Sequence, residues 1–394
     1  MFAALRHFNL TIWLIIVATF ASRFVQFMIW PFLAILLYQK FGLNEFEVGL
    51  FLASATIIGI VFGFYVGYLS DIVGRRKIIL AGLALSVAAM IVLGLGDSLW
   101  MLFAGTLVQS LARPMVEDPG RALMTDMVED REVKDMALHM RYFGLNVGAA
   151  LGPILGATMG LTGQQHTFLL LAGIQLLYLA GAAIVFNIER PVKHSAMAAS
   201  FTLRDVLGIL VRDRPFLLFV LASLLSSIGY GQIESGLVQY LQQQSVADIA
   251  TLYAVLIGIN AATIVVFQFP LLKLTARISP FLRAMIGVAL FALGFLGFGF
   301  APVDPPHALA LAMFVFSIGE AILFPTMNII IDRMAPPAMK GSYFGAFSLG
   351  VIGFALAPLV GGSLLYWAGG FALWMAMTGL ALAVAILYLR NRPI

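Results

Sequence analysis

Long apolar runs recur along the whole chain, and they constrain its fold more than any other feature. Each run is about 20 residues long, the length that an α-helix needs to cross a hydrocarbon layer of about 30 Å. Of the 394 residues, 61% are hydrophobic and 11% are charged, whereas a soluble domain has about 25% charged residues. The sequence therefore predicts an all-α integral membrane protein. With breaks at polar, glycine or proline clusters, the predicted transmembrane helices lie near 10–38, 46–70, 78–95, 99–126, 138–160, 166–187, 215–240, 250–271, 283–301, 307–331, 342–366 and 370–390.

The basic residues are distributed unequally among the loops between these twelve predicted helices. If the N-terminus is cytoplasmic, they collect in the two tails and in the even-numbered loops, and the opposite loops contain only Lys40. Cytoplasmic loops of membrane proteins carry such an excess of lysine and arginine. We therefore expect a multi-pass protein of the cell membrane with both termini in the cytoplasm. This topology accounts for the net charge of +4, so no nucleic-acid partner is expected.

Several classes of chemistry find no support in the residue types present. The chain has no cysteine, which excludes disulfides, thiolate metal sites and cysteine nucleophiles. The five histidines lie near loops or termini without metal-ligand spacing, and the sequence has no nucleophile elbow or phosphate-binding loop. We therefore expect neither an enzyme nor a bound metal or cofactor. A membrane-embedded enzyme or a channel remains an alternative with little support.

Residues 188–214 form the longest polar interruption and divide the predicted helices into two groups of six. Within it, FTLRDVLGILVRD has apolar residues at helical spacing with charges between them, which predicts an amphipathic helix at the membrane surface. The expected domains are a six-helix bundle at 1–188, a linker at 189–214 and a second six-helix bundle at 215–394. The two groups also resemble each other: DPGRALMTD aligns with FPTMNIIID, and GAALGPILGA aligns with GFALAPLVGG. Transporters are commonly built from such internal repeats.

The loop after the second predicted helix has the sequence GYLSDIVGRRK, at 67–77. Its first glycine permits close helix contact, its aspartate falls at a helix end, and its second glycine allows a tight turn. This loop matches the signature G-x-x-x-D-x-x-G-R-R-K of the major facilitator superfamily, which has it between the second and third of twelve helices. The whole chain therefore resembles that family, which implies two pseudo-symmetric six-helix bundles and transport by alternating access.

The resemblance also implies a latch on the cytoplasmic side, where this loop holds the two halves of such transporters together. Asp71 would face the start of the eleventh helix near Gly341, and Arg75 would pair with Asp126 at the end of the fourth helix. The second-half copy of the loop has Ala276 in place of the aspartate, so we expect a one-sided latch. The alternative is a tight loop that only satisfies the positive-inside rule. The candidate latch residues are Gly67, Asp71, Gly74, Arg75, Arg76 and Asp126.

The fifth predicted helix contains RYFGLNVGAALGPILGA, at 141–157. It resembles the signature G-x-x-x-G-P-x-x-G-G of the drug–proton antiporter branch, and the tenth and eleventh helices are similar to LmrP-like multidrug exporters. The matching residues are Gly148, Gly152, Pro153 and Gly156, with Ala157 replacing the last glycine. The resemblance implies a functional monomer that exports small organic or amphipathic compounds and is driven by the proton gradient without a cofactor. The alternative for the glycines is ordinary small-residue packing.

Ionisable residues inside the predicted helices are candidates for handling protons or a small-molecule substrate, because such groups are costly in lipid unless they are paired or hydrated. The candidates are Arg23, Arg113, Glu117, Asp118, Arg141, Glu234 and Glu320. In the fourth helix, spacings of three and four residues allow Arg113 to pair with Glu117, and Asp118 with Arg121. A purely structural charge ladder is therefore the alternative. Two prolines in this stretch, at 114 and 119, predict an irregular helix that borders a cavity.

Among these candidates, Glu320 is the only acidic residue in 307–331, and no basic residue lies within four positions of it. We expect it to handle protons or a cationic substrate; the alternative is a satisfied buried acid. The repeat places Arg113 at an equivalent depth in the other half, so the two side chains are expected to approach each other. Arg23 is expected to bind a substrate anion or to pair with an acid on a neighbouring helix. Glu234 is expected at the mouth of the transport path.

Two departures from the family limit what the resemblance implies. Many members carry an arginine for proton transfer in the fourth helix, where this chain has GTLVQS. LmrP-like proteins have an aspartate at the start of the fifth-helix signature, where this chain has Arg141. An arginine in place of an aspartate favours anionic or zwitterionic ligands. The alternative function is therefore transport of a specific, anionic or zwitterionic metabolite by an exporter, symporter or uniporter.

Overall fold

The computed structural model describes residues 2–29, 33–43, 45–158, 164–189, 203–245, 249–303 and 305–390, which are helical and contain no β-strand. The helices before the linker are α1 Leu10–Ile29, α2 Leu33–Phe41, α3 Glu45–Val73, α4 Arg75–Leu95, α5 Leu99–Asp126, α6 Arg131–Thr158 and α7 Thr167–Ile188. The remaining helices are α8 Leu203–Arg212, α9 Arg214–Glu234, α10 Gly236–Gln243, α11 Ile249–Leu274, α12 Pro280–Phe300, α13 His307–Met334, α14 Lys340–Ser348 and α15 Ile352–Arg390.

These helices confirm the predicted fold class. Eight stretches of the described residues are long and apolar enough to cross a membrane. The last of them, Pro337–Arg390, is divided at Gly369, whose φ of 81° lies in the region that favours glycine. The long helices α3, α5 and α6 complete the set of twelve; α5 and α6 fall outside the eight stretches because both carry several charged residues.

The first predicted helix corresponds to α1 and α2, and residues 30–32 between them lie outside the described ranges. The seventh corresponds to α9 and α10, which are separated at Ser235. The amphipathic helix predicted in the linker is present as α8, while residues 190–202 lie outside the described ranges.

The fourth predicted helix, for which two prolines predict an irregular course beside a cavity, is a single helix in the structure. The helix α5 runs without interruption through both Pro114 and Pro119. A proline in a helix removes one backbone hydrogen bond, but neighbouring helices stabilise the helix around it. Here Pro114 packs against Gly63 of α3. A Cβ added to Gly63 would lie 3.1 Å from the Cβ of Pro114. The internal repeat is visible in the same element, because α5 and α13 are both 28 residues long and carry prolines at the corresponding positions 119 and 325.

The chain forms two compact units. The first comprises Met1–Leu207 and Ala335–Ser348, and the second comprises Gly208–Met334 and Leu349–Ile394. Residues 335–348 come from the second half of the sequence, and the predicted boundaries assign them to the second bundle, yet they pack within the first unit. We call these residues the docked segment. It contains α14, which lies against α3 and α5.

Candidate functional site

A cavity in the first unit is lined by side chains of α1, α4, α5, α6 and α7. Its empty volume, with the open space at its mouth, is about 570 Å³. Four of the predicted candidates line it, namely Arg23, Arg113, Glu117 and Arg141. The uncharged part of the lining includes Ser22, Gln26, Gln109, Gln175 and Tyr178.

Glu117 is the acidic residue of this lining, and two arginines contact one of its oxygens. Its Oε1 lies 3.0 Å from Nη2 of Arg23 and 2.9 Å from Nε of Arg113. The second contact is the predicted pair four residues apart on α5. The first joins α5 to α1, so Arg23 pairs with an acid on a neighbouring helix, which is one of its two predicted alternatives.

Arg141 is the buried cation of the cavity. Its side chain lies on α6, the residue is 7% exposed, and it has no carboxylate within 4 Å among the described residues. Its Nε makes no hydrogen bond within that part of the chain. The lining therefore places three guanidinium groups against one carboxylate. In a membrane-embedded site, this excess of positive charge favours an anionic group on a bound molecule.

The charged residues of α5 separate into two groups that face different neighbours. Asp118 is 2% exposed and is not among the residues that line the cavity. It pairs with Arg121 and accepts a hydrogen bond of 2.9 Å from the Ser348 hydroxyl of the docked segment. The guanidinium of Arg121 lies over the ring of Phe344, 5.1 Å from its centroid. The second group therefore binds the docked segment.

The docked segment is also held by Asp71 at the end of α3. Its carboxylate accepts hydrogen bonds from the backbone N–H of Gly341 at 2.9 Å, from the backbone N–H of Ser342 at 2.7 Å and from the Ser342 hydroxyl at 2.7 Å. These N–H groups belong to the first turn of α14, where a helix has unpaired donors and favours a negative charge. The predicted contact of Asp71 near Gly341 is confirmed, and its role as a latch remains a prediction.

The other residues of the loop at 67–77 support this contact in different ways. A Cβ on Gly345 would lie 3.1 Å from the Cα of Gly67, so α3 and α14 touch backbone to backbone. Gly74, between α3 and α4, has a φ of 103°, which favours glycine. Arg75 pairs with Asp126, as predicted, and lies 3.5 Å from Asp71.

Arg76 has a different position from its neighbour in the loop. Its guanidinium donates to the carbonyl oxygen of Phe186 in α7 and lies 5.5 Å from the centroid of that ring. Its other terminal nitrogen approaches the sulfur of Met127. These contacts connect α4 to α7 and to the end of α5. Sequence spacing could not distinguish Arg75 from Arg76, because adjacent residues in a helix face different neighbours.

The glycines of the antiporter signature bring α6 against α1. A Cβ on Gly148 would lie 2.8 Å from the carbonyl oxygen of Phe20 and 2.9 Å from the backbone nitrogen of Phe24. A Cβ on Gly152 would collide with the carbonyl oxygen of Phe24. Pro153 and Gly156 lie in the last turns of α6. Close packing therefore explains the two central glycines, and a role in antiport remains a prediction.

Replacing Gly148 with alanine is expected to destabilise the protein, because the added Cβ meets backbone atoms of α1 that cannot move without shifting the helix. Overpacking of this kind typically costs about 1–3 kcal/mol. The apparent melting temperature of the purified protein would measure the effect. The control is Gly173→Ala in α7, where a Cβ would have no other atom within 4 Å. Equal melting temperatures for the two variants would contradict the packing argument.

Glu320 lies in α13 of the second unit and is 1% exposed. Its Oε2 accepts a hydrogen bond of 2.7 Å from the Asn260 side chain of α11, which also donates to the Ser317 hydroxyl at 2.9 Å. A Cβ on the adjacent Gly319 would lie 2.7 Å from the carbonyl oxygen of Gly287, so α12 fixes this part of α13. The carboxyl group is therefore buried and accepts a hydrogen bond from a side-chain amide.

Glu234, the remaining candidate, is the last residue of α9 and is exposed. This position is compatible with its predicted place at a mouth of the transport path. Asn260 did not appear among the sequence candidates, since a single asparagine in an apolar helix carries no motif. Its polarity within the largely apolar α11 was the available signal.

The family model described as Major Facilitator Superfamily matches residues 15–351. The MFS-type transporter YqjV of Bacillus subtilis is 29% identical over 351 residues, covering 89% of this chain and 85% of the relative. The multidrug resistance protein MdtH of an Enterobacter species is 23% identical, with 90% and 84% covered. A Na(+), Li(+), K(+)/H(+) antiporter of Planococcus maritimus is also 23% identical, with 84% of each chain covered.

Solved structures show the same fold. The fucose:proton symporter FucP of Escherichia coli superimposes with a TM-score of 0.76 at 16% identity, over 97% of this chain and 98% of FucP. The human organic anion transporter MFSD10 superimposes with a TM-score of 0.75 at 18% identity, over 96% and 99% of the two chains. At these identities the likeness establishes the fold alone.

Proposed function

Because the chain belongs to the major facilitator superfamily, we propose that it is a secondary active transporter that exports small organic or amphipathic compounds in exchange for protons. The observation that carries this proposal is the cavity of the first unit, which is lined by four charged side chains and several polar ones. Ionisable groups within membrane spans mark substrate and proton pathways. The resemblance to MdtH and to a cation/proton antiporter supports the antiport mode.

The proposal assigns different tasks to the two units. The cavity with Arg23, Arg113, Glu117 and Arg141 binds the solute, and Glu320 in the second unit takes up and releases the proton. Asp71 and the docked segment form a latch that closes in one conformation and opens in the other. The transporter uses the proton gradient as its energy source, acts as a monomer and lies in the cell membrane with both termini cytoplasmic.

A second candidate function is transport of an anionic or zwitterionic metabolite. It is favoured by the three guanidinium groups against one carboxylate in the cavity lining. A cavity built for cations would place acids at these positions, since a guanidinium repels a cationic solute. The two candidates differ in the charge of the transported compound.

A flux assay with purified protein in liposomes tests the proposal. An imposed pH gradient is applied, and the movement of cationic, neutral and anionic compounds is measured with and without a protonophore. We expect at least one compound to accumulate against its gradient, and we expect the protonophore to abolish this accumulation. Liposomes without protein provide the control. If no compound moves in response to the gradient, the antiport proposal fails.

A further inference from the structure

The internal pairing of Glu117 has a consequence for the substrate class of the cavity. Both arginines that contact this carboxylate approach the same oxygen, Oε1. No described residue donates a hydrogen bond to the other oxygen, Oε2, and the Glu117 side chain is 30% exposed. A carboxylate with a structural role is usually held through both oxygens, because an arginine fork pairs with it in a bidentate manner. Glu117 is instead held through one oxygen, because both arginines contact Oε1.

The two arginines also retain donors that the protein does not use. The terminal nitrogens of Arg113 make no hydrogen bond to a described residue, and its side chain is 45% exposed. Among the described residues, Arg23 has only a long contact of 3.4 Å to Gln26 besides its pair with Glu117. Planar guanidinium groups with free donors are well suited to carboxylate, sulfonate or phosphate groups. The cavity therefore offers an anion more hydrogen bonds than Glu117 now accepts.

Deeper in the cavity are donors without a partner. Arg141 is more than nine-tenths buried, and its Nε has no hydrogen-bond partner among the described residues. The hydroxyl of Ser22, on α1, is also buried and has no hydrogen-bond partner in the described part of the chain. Buried polar groups are normally hydrogen-bonded, so these two groups can donate hydrogen bonds to a molecule that enters the cavity. Both residues line the same cavity as Glu117.

From these contacts we propose that Glu117 is an internal counter-ion that occupies Arg23 and Arg113 while the cavity is empty, and that the anionic group of a substrate displaces it and also binds Arg141. The inference rests on the proposed transport function and narrows its substrates to compounds with a carboxylate or a similar anionic group. The internal carboxylate limits the excess positive charge of the empty site. A bound anion would take over this role, and Glu117 would turn its carboxylate away from the two arginines.

Equilibrium binding of three probes of the same shape tests the inference. Benzoate, benzamide and benzamidine differ mainly in charge, and binding to the purified protein is measured by calorimetry in chloride-free buffer. We expect the wild-type protein to bind benzoate more tightly than benzamide or benzamidine. Glu117→Gln is expected to bind benzoate about tenfold more tightly or better, because an internal competitor lowers apparent affinity by the fraction of sites that it occupies. Glu117→Asp keeps the carboxylate and is the matched control, with affinity near that of the wild type.

A second variant tests the proposed contact between the bound anion and Arg141. Arg141→Gln is expected to reduce benzoate binding to the level of benzamide, while benzamide binding stays unchanged. This variant also keeps the inference testable if Glu117→Gln does not fold. Benzoate binding that is unchanged or weaker in Glu117→Gln, or unaffected in Arg141→Gln, would overturn the inference.

These measurements need neither a membrane nor a pH gradient, so they are independent of the flux assay. If benzoate binds as expected and no compound responds to the gradient, antiport fails and the anion site stands. If only cationic compounds are transported and benzoate does not bind, the anion site fails and the transport function stands.

Discussion

Replacing Asp71 with asparagine is expected to slow transport by about tenfold or more, because hydrogen bonds to a charged group each contribute about 1.5–3 kcal/mol. The carboxylate of Asp71 accepts three hydrogen bonds from Gly341 and Ser342, and it balances Arg75. Asparagine retains one oxygen that can accept hydrogen bonds. Its side-chain NH₂ group would face N–H donors of the docked segment, with which it cannot form hydrogen bonds. The docked segment would be bound less tightly, and a transporter that closes one of its two states poorly turns over slowly.

The affinity for substrate is expected to remain nearly unchanged in this variant, because Asp71 does not line the cavity. Initial transport rates and equilibrium binding of the same compound separate the two quantities. Asp97→Asn is the matched control, since Asp97 is an exposed carboxylate whose side chain is 94% accessible and pairs with Lys40. A large loss of affinity with normal turnover in Asp71→Asn would contradict the latch.

Release of the docked segment can also be detected directly. The chain has no cysteine, so a single introduced thiol reports on one position without further changes. Ser70 is fully buried, and its hydroxyl would contact a Cβ placed on Gly341. In Ser70→Cys, we expect a water-soluble thiol reagent to react slowly, and we expect a faster reaction when Asp71→Asn is added. Equal rates in the two proteins would argue against a segment that docks and releases.

Replacing Glu320 with glutamine is expected to abolish accumulation driven by the pH gradient and to leave downhill movement of the same compound largely intact. Glutamine has nearly the same shape and can still accept the hydrogen bond from Asn260, so the fold should persist. A glutamine side chain cannot take up or release a proton near neutral pH. An exchanger without its proton site cannot use the pH gradient to drive accumulation. Accumulation should fall to the level seen with a protonophore, while substrate exchange without a gradient continues.

Two comparisons make the result for Glu320 specific. Glu234→Gln removes an exposed carboxyl group at the end of α9, and we expect it to retain gradient-driven accumulation. Glu117→Gln removes a carboxylate that the proposal assigns to the solute site, so its effect should be on binding. Normal gradient-driven accumulation in Glu320→Gln would transfer proton handling to another residue.

The sequence was sufficient for the features that depend on spacing along one helix or on a local loop. Apolar runs of about 20 residues predict the transmembrane helices, because only that length spans the hydrocarbon layer. The pair of Arg113 and Glu117 follows from their separation of four residues. The contacts of Asp71 near Gly341 and of Arg75 with Asp126 followed from the resemblance of the loop at 67–77 to a known family.

Contacts between distant residues could not be predicted from spacing. Arg23 and Glu117 are 94 positions apart, and Ser348 and Asp118 are 230 positions apart. Such pairs depend on the rotation of each helix about its axis. Spacing within a single helix does not reveal which neighbouring helix each of its faces contacts. For the same reason, the sequence could not show that Glu117 and Asp118, although adjacent, face the cavity and the docked segment respectively.

The most direct test of the account is the proton movement that accompanies solute export. Liposomes containing the protein are loaded with a transported compound and a pH-sensitive dye, and the compound is then allowed to leave without an imposed pH gradient. Because antiport moves protons opposite to the solute, we predict that the interior becomes more acidic as the compound leaves, and that Glu320→Gln abolishes this change. Solute efflux without a pH change, or with a more alkaline interior, would contradict proton antiport.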